Sequence, residues 1–516
     1  MNIKILWVDD EIELLKPHIM FLEGKGYEVL TTNNGSDAID MVQENVLDIV
    51  FLDENMPGLS GLETLDRLKN IQPGLPVVMI TKSEEESIME GAIGGKISDY
   101  LIKPVNPNQI LLSLKKNLEN KKWVSEKTTM DYQREFREIG IKLSDKLDFE
   151  QWQEVYNQLV HWEIELSKSD DGSLLEIFQM QKNEANSQFG SFIRKNYADW
   201  LSIHAERKPV LSHTVFRDMC LPFIKGEEKT FLVVVDNLRY DQWKILKPAF
   251  EEVYRIASEE MYCSILPTAT QFARNAFFAG MLPTEIEKRY PQYWVNESEE
   301  STFNKYESEL LAEQLKRLGA DIKFSYHKIL NLSSGKKLAE TINNYTGIKL
   351  NVLVYNFVDM LSHARTEMEV IKELADNEAA YRSLTLSWFE HSPLRDIIKV
   401  LARNRISLIL TTDHGSIKVY NPSKVVGDKN TNTNLRYKTG RNLQFDKSEV
   451  FAVANPQTIY LPKSNISSNY IFALNNSFFA YPNNYNHYVN YYRDTFQHGG
   501  VSLEEMLVPL VFMRAK

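Results

Sequence analysis

The feature that most constrains this chain is where its apolar runs stop. Stretches too short for helices close one after another on carboxylates: "IKILWV" meets Asp9 and Asp10, "DIVFL" meets Asp53, "FLVVV" meets Asp236, and "LILTT" meets Asp413. Between these runs lie amphipathic stretches with helical spacing. Apolar runs alternating with helices predict a parallel sheet covered on its faces, and such sheets bind ligands beyond the carboxyl ends of their strands. Acidic strand ends therefore predict cation chemistry there.

The alternation comes in two blocks. From residue 1 to 120, "IKILWV", "EVLTT", "DIVFLD", "PVVMIT" and "DYLIK" read as five strands of a doubly wound parallel sheet. From 121 to 208 strand runs disappear, and "FEQWQEVYNQLVHWEIEL" and "SLLEIFQMQKNEANSQFGSFIRKNYADWLS" place apolar residues at three-and-four spacing, predicting a helical bundle or spacer with "SKSDDGS" as a polar turn. From 209 to 516 the alternation returns through "TFLVVVDNL", "LNVLVYNFVD" and "ISLILTTDHG" to "LVPLVFM", predicting a second, larger α/β domain. The polar tract "YNPSKVVGDKNTNTNLRYKTGRNL" reads as a long mobile loop beside a site. Three domains suit a chain of 516 residues, which is too long for one core.

Bulk charge narrows the partners. A formal net charge of −11 argues against broad binding to a nucleic-acid backbone, since no excess of Lys and Arg can replace condensed counterions. The two cysteines, Cys220 and Cys263, exclude a disulfide framework and suit a reducing compartment as small core residues. The opening "MNIKILWVDDEIELL" meets acidic residues too early for a secretion signal, and no apolar run is long enough to cross a bilayer. A cytoplasmic location is expected.

In the first block Asp9, Asp10 and Asp53 should meet at one sheet edge, where like charges need a cation and a hard oxygen cluster suits Mg²⁺. Thr81 closes the fourth strand and Lys103 follows the fifth, so a hydroxyl and an ammonium can meet the oxygens of a phosphoryl group carried by Asp53. The motifs "VDD", "LDENMPG", "MIT" and "IKP", in this order, resemble the CheY-like receiver domain of two-component response regulators. The resemblance implies that Asp53 is the phosphoacceptor, that Asp9 and Asp10 hold Mg²⁺ with it, that Thr81 is the switch hydroxyl, Lys103 the phosphate-binding lysine and Tyr100 the aromatic switch. It also implies a cognate sensor histidine kinase.

The larger block carries a second constellation. In "NVLVYNFVDMLSH" a strand run is followed by Asp359 and His363, four apart and so on one helix face. Alone, the pair could be an ordinary helix-capping hydrogen bond. Asp236, Asp413, His414 and His498 supply company, making three Asp and three His at or beyond strand ends. Six such ligands are enough for two divalent ions, and a mixed imidazole and carboxylate set suits Zn²⁺ or Mn²⁺. In "LPTATQFARNAFFAG", Thr268 or Thr270 would lie at a helix N-terminus, as a nucleophile beside a phosphate or as a plain N-cap. Arg274, Lys424, Lys429, Arg436, Lys438 and Arg441 could supply phosphate contacts.

The order Asp236, Thr270, Asp359 with His363, Asp413 with His414, then His498 resembles the alkaline phosphatase superfamily, and "NFVDMLSH", "TTDHGS" and "LPTATQFARNAFFAG" are closer still to its PglZ branch. That resemblance implies an α/β/α domain in which Asp236, Asp413, His414 and the nucleophile Thr270 hold one metal, and Asp359, His363 and His498 the other. Receiver, helical spacer and PglZ domain in this order resemble the PorX-like response regulators linked to type IX secretion in Bacteroidetes. The family implies a phosphorylation-controlled phosphodiesterase acting on cyclic or linear oligonucleotides. Two other outputs compete: a metal-bound scaffold that binds a sigma factor or a secretion-motor component, and a DNA-binding regulator. The third fits poorly, because no helix-turn-helix with a basic recognition helix follows residue 120.

Overall fold

A computed structural model describes residues 3–81, 97–105, 107–114, 117, 120–168, 172–202, 208–295, 304–367, 375, 377–428, 431–463 and 468–516. It divides into two compact units, Met1–Glu135 and Phe136–Lys516.

Among the described residues the first unit holds five strands: β1 (Lys4–Val8), β2 (Glu28–Thr32), β3 (Ile49–Asp53), β4 (Val77–Thr81) and β5 (Asp99–Ile102). All pair in parallel, in the order β2-β1-β3-β4-β5. Alternate residues of each strand serve two separate cores. Leu6, Val8, Val50, Leu52, Val77 and Met79 pack on one face, while Ile5, Trp7, Ile49, Phe51, Val78 and Ile80 pack on the other. Burial on both faces is why these strands read as unbroken apolar runs. Strand order reverses between β1 and β3, so a crevice opens at their carboxyl ends, where Asp9 and Asp53 emerge. The helix Gly61–Ile71 is started by a Ser60–Glu63 capping box. Its first residue lies so close to β3 that a Cβ on Gly61 would be 2.3 Å from the Asp53 carbonyl oxygen. Glycine thus lets that helix sit directly against the end of the strand.

The helical spacer contains Asn120–Ser144, Phe149–Leu166 and Gly172–Trp200. Asp148 caps the second of these, accepting from the Gln151 N–H at 2.9 Å while Gln151 Oε1 accepts from the Asp148 N–H at 2.9 Å. The helices meet through aromatic edges: Trp152 lies 5.4 Å from Phe189 and Phe149 lies 5.8 Å from Trp200, centroid to centroid.

Among the described residues the main sheet of the second unit has six strands: β6 (Thr230–Val235), β7 (Tyr254–Cys263), β8 (Phe324–Ile329), β9 (Leu350–Tyr355), β10 (Ser407–Thr411) and β11 (Leu507–Ala515), ordered β7-β11-β10-β6-β9-β8. Strands β10, β6, β9 and β8 run parallel, and β11 pairs antiparallel with both β10 and β7. The adjacent carboxyl ends of β10, β6 and β9 therefore deliver Asp413, Asp236 and Asp359 to one edge. His498 arrives differently. The short strand Thr495–Gln497 pairs antiparallel with Ile417–Val419, with Gln497 opposite Ile417, and this pairing places His498 beside His414.

The tract expected to be a mobile loop is instead largely structured. Asn421–Lys424 pairs with Ser477–Ala480, and Tyr437–Gly440 pairs with Asn469–Ala473. Ser423, Arg436, Lys438 and Thr439 are buried. No described helix is long and apolar enough to cross a membrane.

Candidate functional site

At the edge of the first sheet, Asp9 and Asp53 are buried and Asp10 is exposed, and one carboxylate oxygen from each lies within 4.8 Å of the others. Lys103 spans the cluster, with Nζ 2.9 Å from Asp9 Oδ2 and 2.9 Å from Asp53 Oδ1. Burial pushes the Asp53 carboxyl above its usual range, against the pull of the Lys103 hydrogen bond and charge. Burial alone would lower the Lys103 ammonium, yet its bonds to Asp53 and Asp9 hold it above its usual value. Thr81 is buried and its hydroxyl donates to the Glu54 carboxylate. Tyr100 is 40% exposed. The oxygen-only cluster fits a hard divalent cation such as Mg²⁺.

The second site begins at the helix Thr270–Ala279. Its N-cap is Ala269, so neither threonine caps it. Thr268 is fully buried, its hydroxyl donating to the Gly500 carbonyl at 2.9 Å and accepting from the Gly499 N–H at 3.0 Å. The Thr270 hydroxyl lies 3.1 Å from His414 Nε2 and 3.4 Å from Asp236 Oδ1. Donor atoms of Asp236, Asp413 and His414 fall within 4.8 Å of one another, and all three residues are buried.

Ring tautomers are set by backbone carbonyls, which can only accept. His414 Nδ1 donates to the Gly415 carbonyl at 3.1 Å, and His498 Nδ1 donates to the Thr268 carbonyl at 3.1 Å. Each ring thus leaves Nε2 as the nitrogen facing the carboxylates: His414 Nε2 lies 3.6 Å from Asp413 Oδ2, and His498 Nε2 lies 3.7 Å from Asp359 Oδ1. This is the arrangement in which imidazoles ligate metals, and with the carboxylates it fits Zn²⁺ or Mn²⁺. Asp359 and His363 fall on one helix, Phe357–Glu367, but the His363 side chain lies outside the described residues.

Several expected phosphate contacts are committed elsewhere. Arg274 is buried one helical turn beyond Thr270; its Nη1 lies 2.7 Å from Asp236 Oδ2 and its Nε donates to Glu307 at 2.6 Å. Burial would lower this guanidinium, but Asp236, Glu307 and Asp413 hold it well above its usual value. The same burial raises the Asp236 carboxyl, opposed by Arg274. Arg436 is buried against Glu505, and Lys438 is buried with Nζ donating to the Asn432 carbonyl at 2.8 Å. Arg274 and Arg436 thus brace carboxylates of the site and its supporting turn, while Lys438 is bonded to its own loop. Lys424 and Arg441 are exposed, and Lys429 lies outside the described residues. Glu307, which the sequence reading passed over, comes from a surface-like helix, Glu307–Arg317, and gives no local sign of its partner.

Known proteins match each part of this architecture. A family model described as the BREX system PglZ alkaline phosphatase-like domain matches residues 215–513, more than half of the chain. The chain belongs to the PglZ family. Ahead of its PglZ domain, residues 5–115 match the response regulator receiver domain and residues 122–201 match the PorX response regulator linker domain. The whole is thus a PorX-like response regulator, with receiver, linker and PglZ domain in this order. Over its receiver, this PglZ protein is 35% identical across 116 residues to the alginate biosynthesis transcriptional regulatory protein AlgB of Pseudomonas syringae pv. tomato, covering 22% of this chain and 26% of that one. It is 34% identical across 140 residues to the transcriptional regulatory protein ZraR of Escherichia coli K12, covering 27% of this chain and 32% of that one. The chain spans about a third or less of the length of these two relatives. A receiver domain protein from Clostridium thermocellum is 31% identical, covering 23% of this chain and 98% of that one, with a TM-score of 0.22. One from Methanospirillum hungatei is 27% identical, covering 24% and 98%, with a TM-score of 0.22.

Proposed function

We propose that this protein is a response regulator in which phosphorylation of Asp53 controls a phosphodiesterase in the PglZ domain, dependent on two Zn²⁺ or Mn²⁺ ions and acting on cyclic or linear oligonucleotides. In this reading Asp236, Asp413 and His414 hold one ion with Thr270, and Asp359, His363 and His498 hold the other. Asp9, Asp10 and Asp53 hold Mg²⁺. In this reading the protein acts in the cytoplasm and regulates type IX secretion, as its resemblance to PorX-like response regulators implies.

Bound divalent ions would stabilise charge developing on the attacking and leaving oxygens at phosphorus. Thr270 Oγ attacks the phosphorus, the P–Oγ bond forms and the ester P–O bond breaks, and the departing oxygen takes up a proton as an alcohol. Water then cleaves the phosphothreonine and restores the hydroxyl. Thr270 opens a ten-residue helix, so the free N–H groups of that first turn can hold the phosphate oxygens.

The observation that carries this reading is the approach of the Thr270 hydroxyl to 3.1 Å from His414 Nε2, within a buried Asp236, Asp413 and His414 cluster. It is tested by metal analysis of the purified chain together with hydrolysis of bis-p-nitrophenyl phosphate and p-nitrophenyl phosphate. A chain that holds no metal, and stays inactive on both after Zn²⁺ or Mn²⁺ is added, would refute it.

One observation suits a second reading, a non-catalytic metal-bound scaffold: Arg274 already offsets part of the acidic cluster, 2.7 Å from Asp236 and 3.8 Å from Asp413. Such a scaffold would act by binding a sigma factor or a secretion-motor protein.

A further inference from the structure

Both imidazoles of the PglZ site rest on one short turn. The segment Leu503–Met506 is a single helical turn whose N-cap Ser502 accepts from the Glu505 N–H. On one side, the Glu505 backbone carbonyl accepts from the Gly415 N–H at 3.2 Å, and Gly415 in turn supplies the carbonyl that receives His414 Nδ1. A Cβ on Gly415 would lie 2.0 Å from the Glu504 carbonyl oxygen, so the two backbones touch and cannot shift independently. On the other side, Glu505 Oε1 accepts from the Gly500 N–H at 2.8 Å, two residues beyond His498. Arg436 anchors the same carboxylate, donating to Oε2 at 2.6 Å.

What grips this turn is not part of the PglZ domain. Lys182 and Asn186 stand one turn apart on the spacer helix Gly172–Trp200, and both are buried. Lys182 Nζ lies 3.0 Å from Glu504 Oε1 and 3.0 Å from Glu163 Oε2. Asn186 acts twice: its Nδ2 donates to Glu504 Oε2 at 3.1 Å, and its Oδ1 accepts from the Leu503 N–H at 2.8 Å. Asn186 thereby satisfies one of the free N–H groups that open the turn. Buried groups held by charge-assisted hydrogen bonds are fixed in place, because leaving either partner unpaired is costly.

We infer that Lys182 and Asn186 are positioning residues for the metal centre, acting through Glu504 on the Ser502–Met506 turn that orients His414 and His498. The inference rests on the proposed metal reading and deepens it. The spacer is then part of the scaffold of the site, and its helix Gly172–Trp200 is an element through which a regulatory input could reach the two imidazoles. Metal affinity falls when the groups behind ligating histidines are removed, by roughly 10- to 100-fold in characterised sites.

The test compares full-length parent, Asn186→Leu, and the charge-neutral pair Lys182→Met with Glu504→Gln, which keeps the site foldable if the first variant is not. A control, Trp152→Leu, disturbs the spacer core without touching Glu504. Zn²⁺ affinity is measured by competition with a chromophoric chelator, and the site is loaded with Co²⁺ to record its visible absorption. Expected are Zn²⁺ binding weakened roughly 10- to 100-fold and an altered Co²⁺ spectrum in the folded Asn186 or paired variant, with both unchanged in the control. Parent-like affinity and spectrum in a folded variant would overturn the inference alone. Equal losses in the control would reduce the effect to general destabilisation and overturn it too. A parent that binds no Zn²⁺ would overturn the metal reading and this inference with it.

Discussion

His414 and His498 stack face to face, with ring centroids 4.3 Å apart and planes 19° apart, although 84 positions of chain separate them. Each keeps its Nδ1 on a carbonyl and its Nε2 toward a different Asp, so the stack is the seam between two half-sites. Replacing either ring removes an imidazole beside the carboxylates and takes away the face on which its neighbour stacks. His414→Ala is expected to lower bound metal and diester hydrolysis by orders of magnitude, because a paired-ion site fails when one ligand is lost. Metal content by plasma mass spectrometry and the rate on bis-p-nitrophenyl phosphate check it; full activity with less than one metal per chain would contradict the arrangement.

The two threonines should separate cleanly. Thr270→Ala removes a neutral hydroxyl that faces the acidic cluster, and is expected to keep the fold and the ion, which Asp236, Asp413 and His414 still hold, while turnover collapses. Thr268→Ala removes a buried hydroxyl that ties Gly499 and Gly500 beneath His498, and is expected to cost about 1–3 kcal/mol of stability. Thermal melts and steady-state rates on both variants decide the matter. Turnover lost in Thr268→Ala alone, with a normal melt, would reverse the assignment.

Arg274 gives a prediction about metal removal. Its guanidinium sits between Asp236 and Glu307 with almost no solvent, and Arg274→Met would leave two buried carboxylates short of a partner. Breaking such a pair costs roughly 3–5 kcal/mol. The loss is expected to be larger in chelator-treated protein than in Zn²⁺-loaded protein, since a bound cation would also neutralise Asp236. Melting curves with and without chelator measure the difference; equal losses would mean that Asp236 does not face the metal.

What could be read from residues alone follows burial and sequence distance. The parallel strands β1, β3, β6, β9 and β10 are covered on both faces, so their apolar runs and acidic ends stood out. Strand β7, "YRIASEEMYC", lies at a sheet edge with exposed Arg255 and Glu260 and intermediate Glu259, and its mixed pattern gave no clear strand signal. The tract 420–443 reads as a loop for a related reason: buried Arg436 has the look of a loop cation, and the Glu505 that neutralises it lies 69 positions away. Lys182 and Glu504 are hidden in the same way, each an ordinary surface type whose partner lies in another domain.

One histidine outside the site should make stability depend on pH. Burial, together with the charges of Lys208 and Arg217, holds the His213 imidazole down to about 4, against about 6.5 in an unfolded chain. Between those values the unfolded chain binds the extra proton, so stability is full above about pH 6.5 and is lost as pH falls toward 4. At pH 5 the loss should be on the order of 2 kcal/mol. Denaturant titrations at pH 7.5 and pH 5 should show it in the parent and show much less in His213→Phe. The same slope in both proteins would assign the effect to other groups.

The final prediction concerns the receiver. Asp53→Ala is expected to abolish labelling by acetyl phosphate, and persistent Mg²⁺-dependent labelling of that variant would sink the assignment of Asp53. Activation has a specific obstacle to overcome. Thr81 donates to Glu54, and Lys103 is shared between Asp9 and Asp53, so an arriving phosphoryl group must draw both away from their present partners. It carries nearly two negative charges, enough to compete for a hydroxyl and an ammonium at close range. Once Thr81 has moved, the Tyr100 ring, now 40% exposed, can turn inward and change the surface around β5. We expect that change to favour a homodimer and to alter the rate of the PglZ domain, which requires a different association free energy in the two states. Glu54→Ala removes the competing acceptor and should shift the balance partway without any phosphoryl group. Sedimentation velocity and diester hydrolysis, each with and without beryllofluoride, measure both effects. An unchanged monomer fraction together with an unchanged rate would mean that the receiver acts through a bound partner instead.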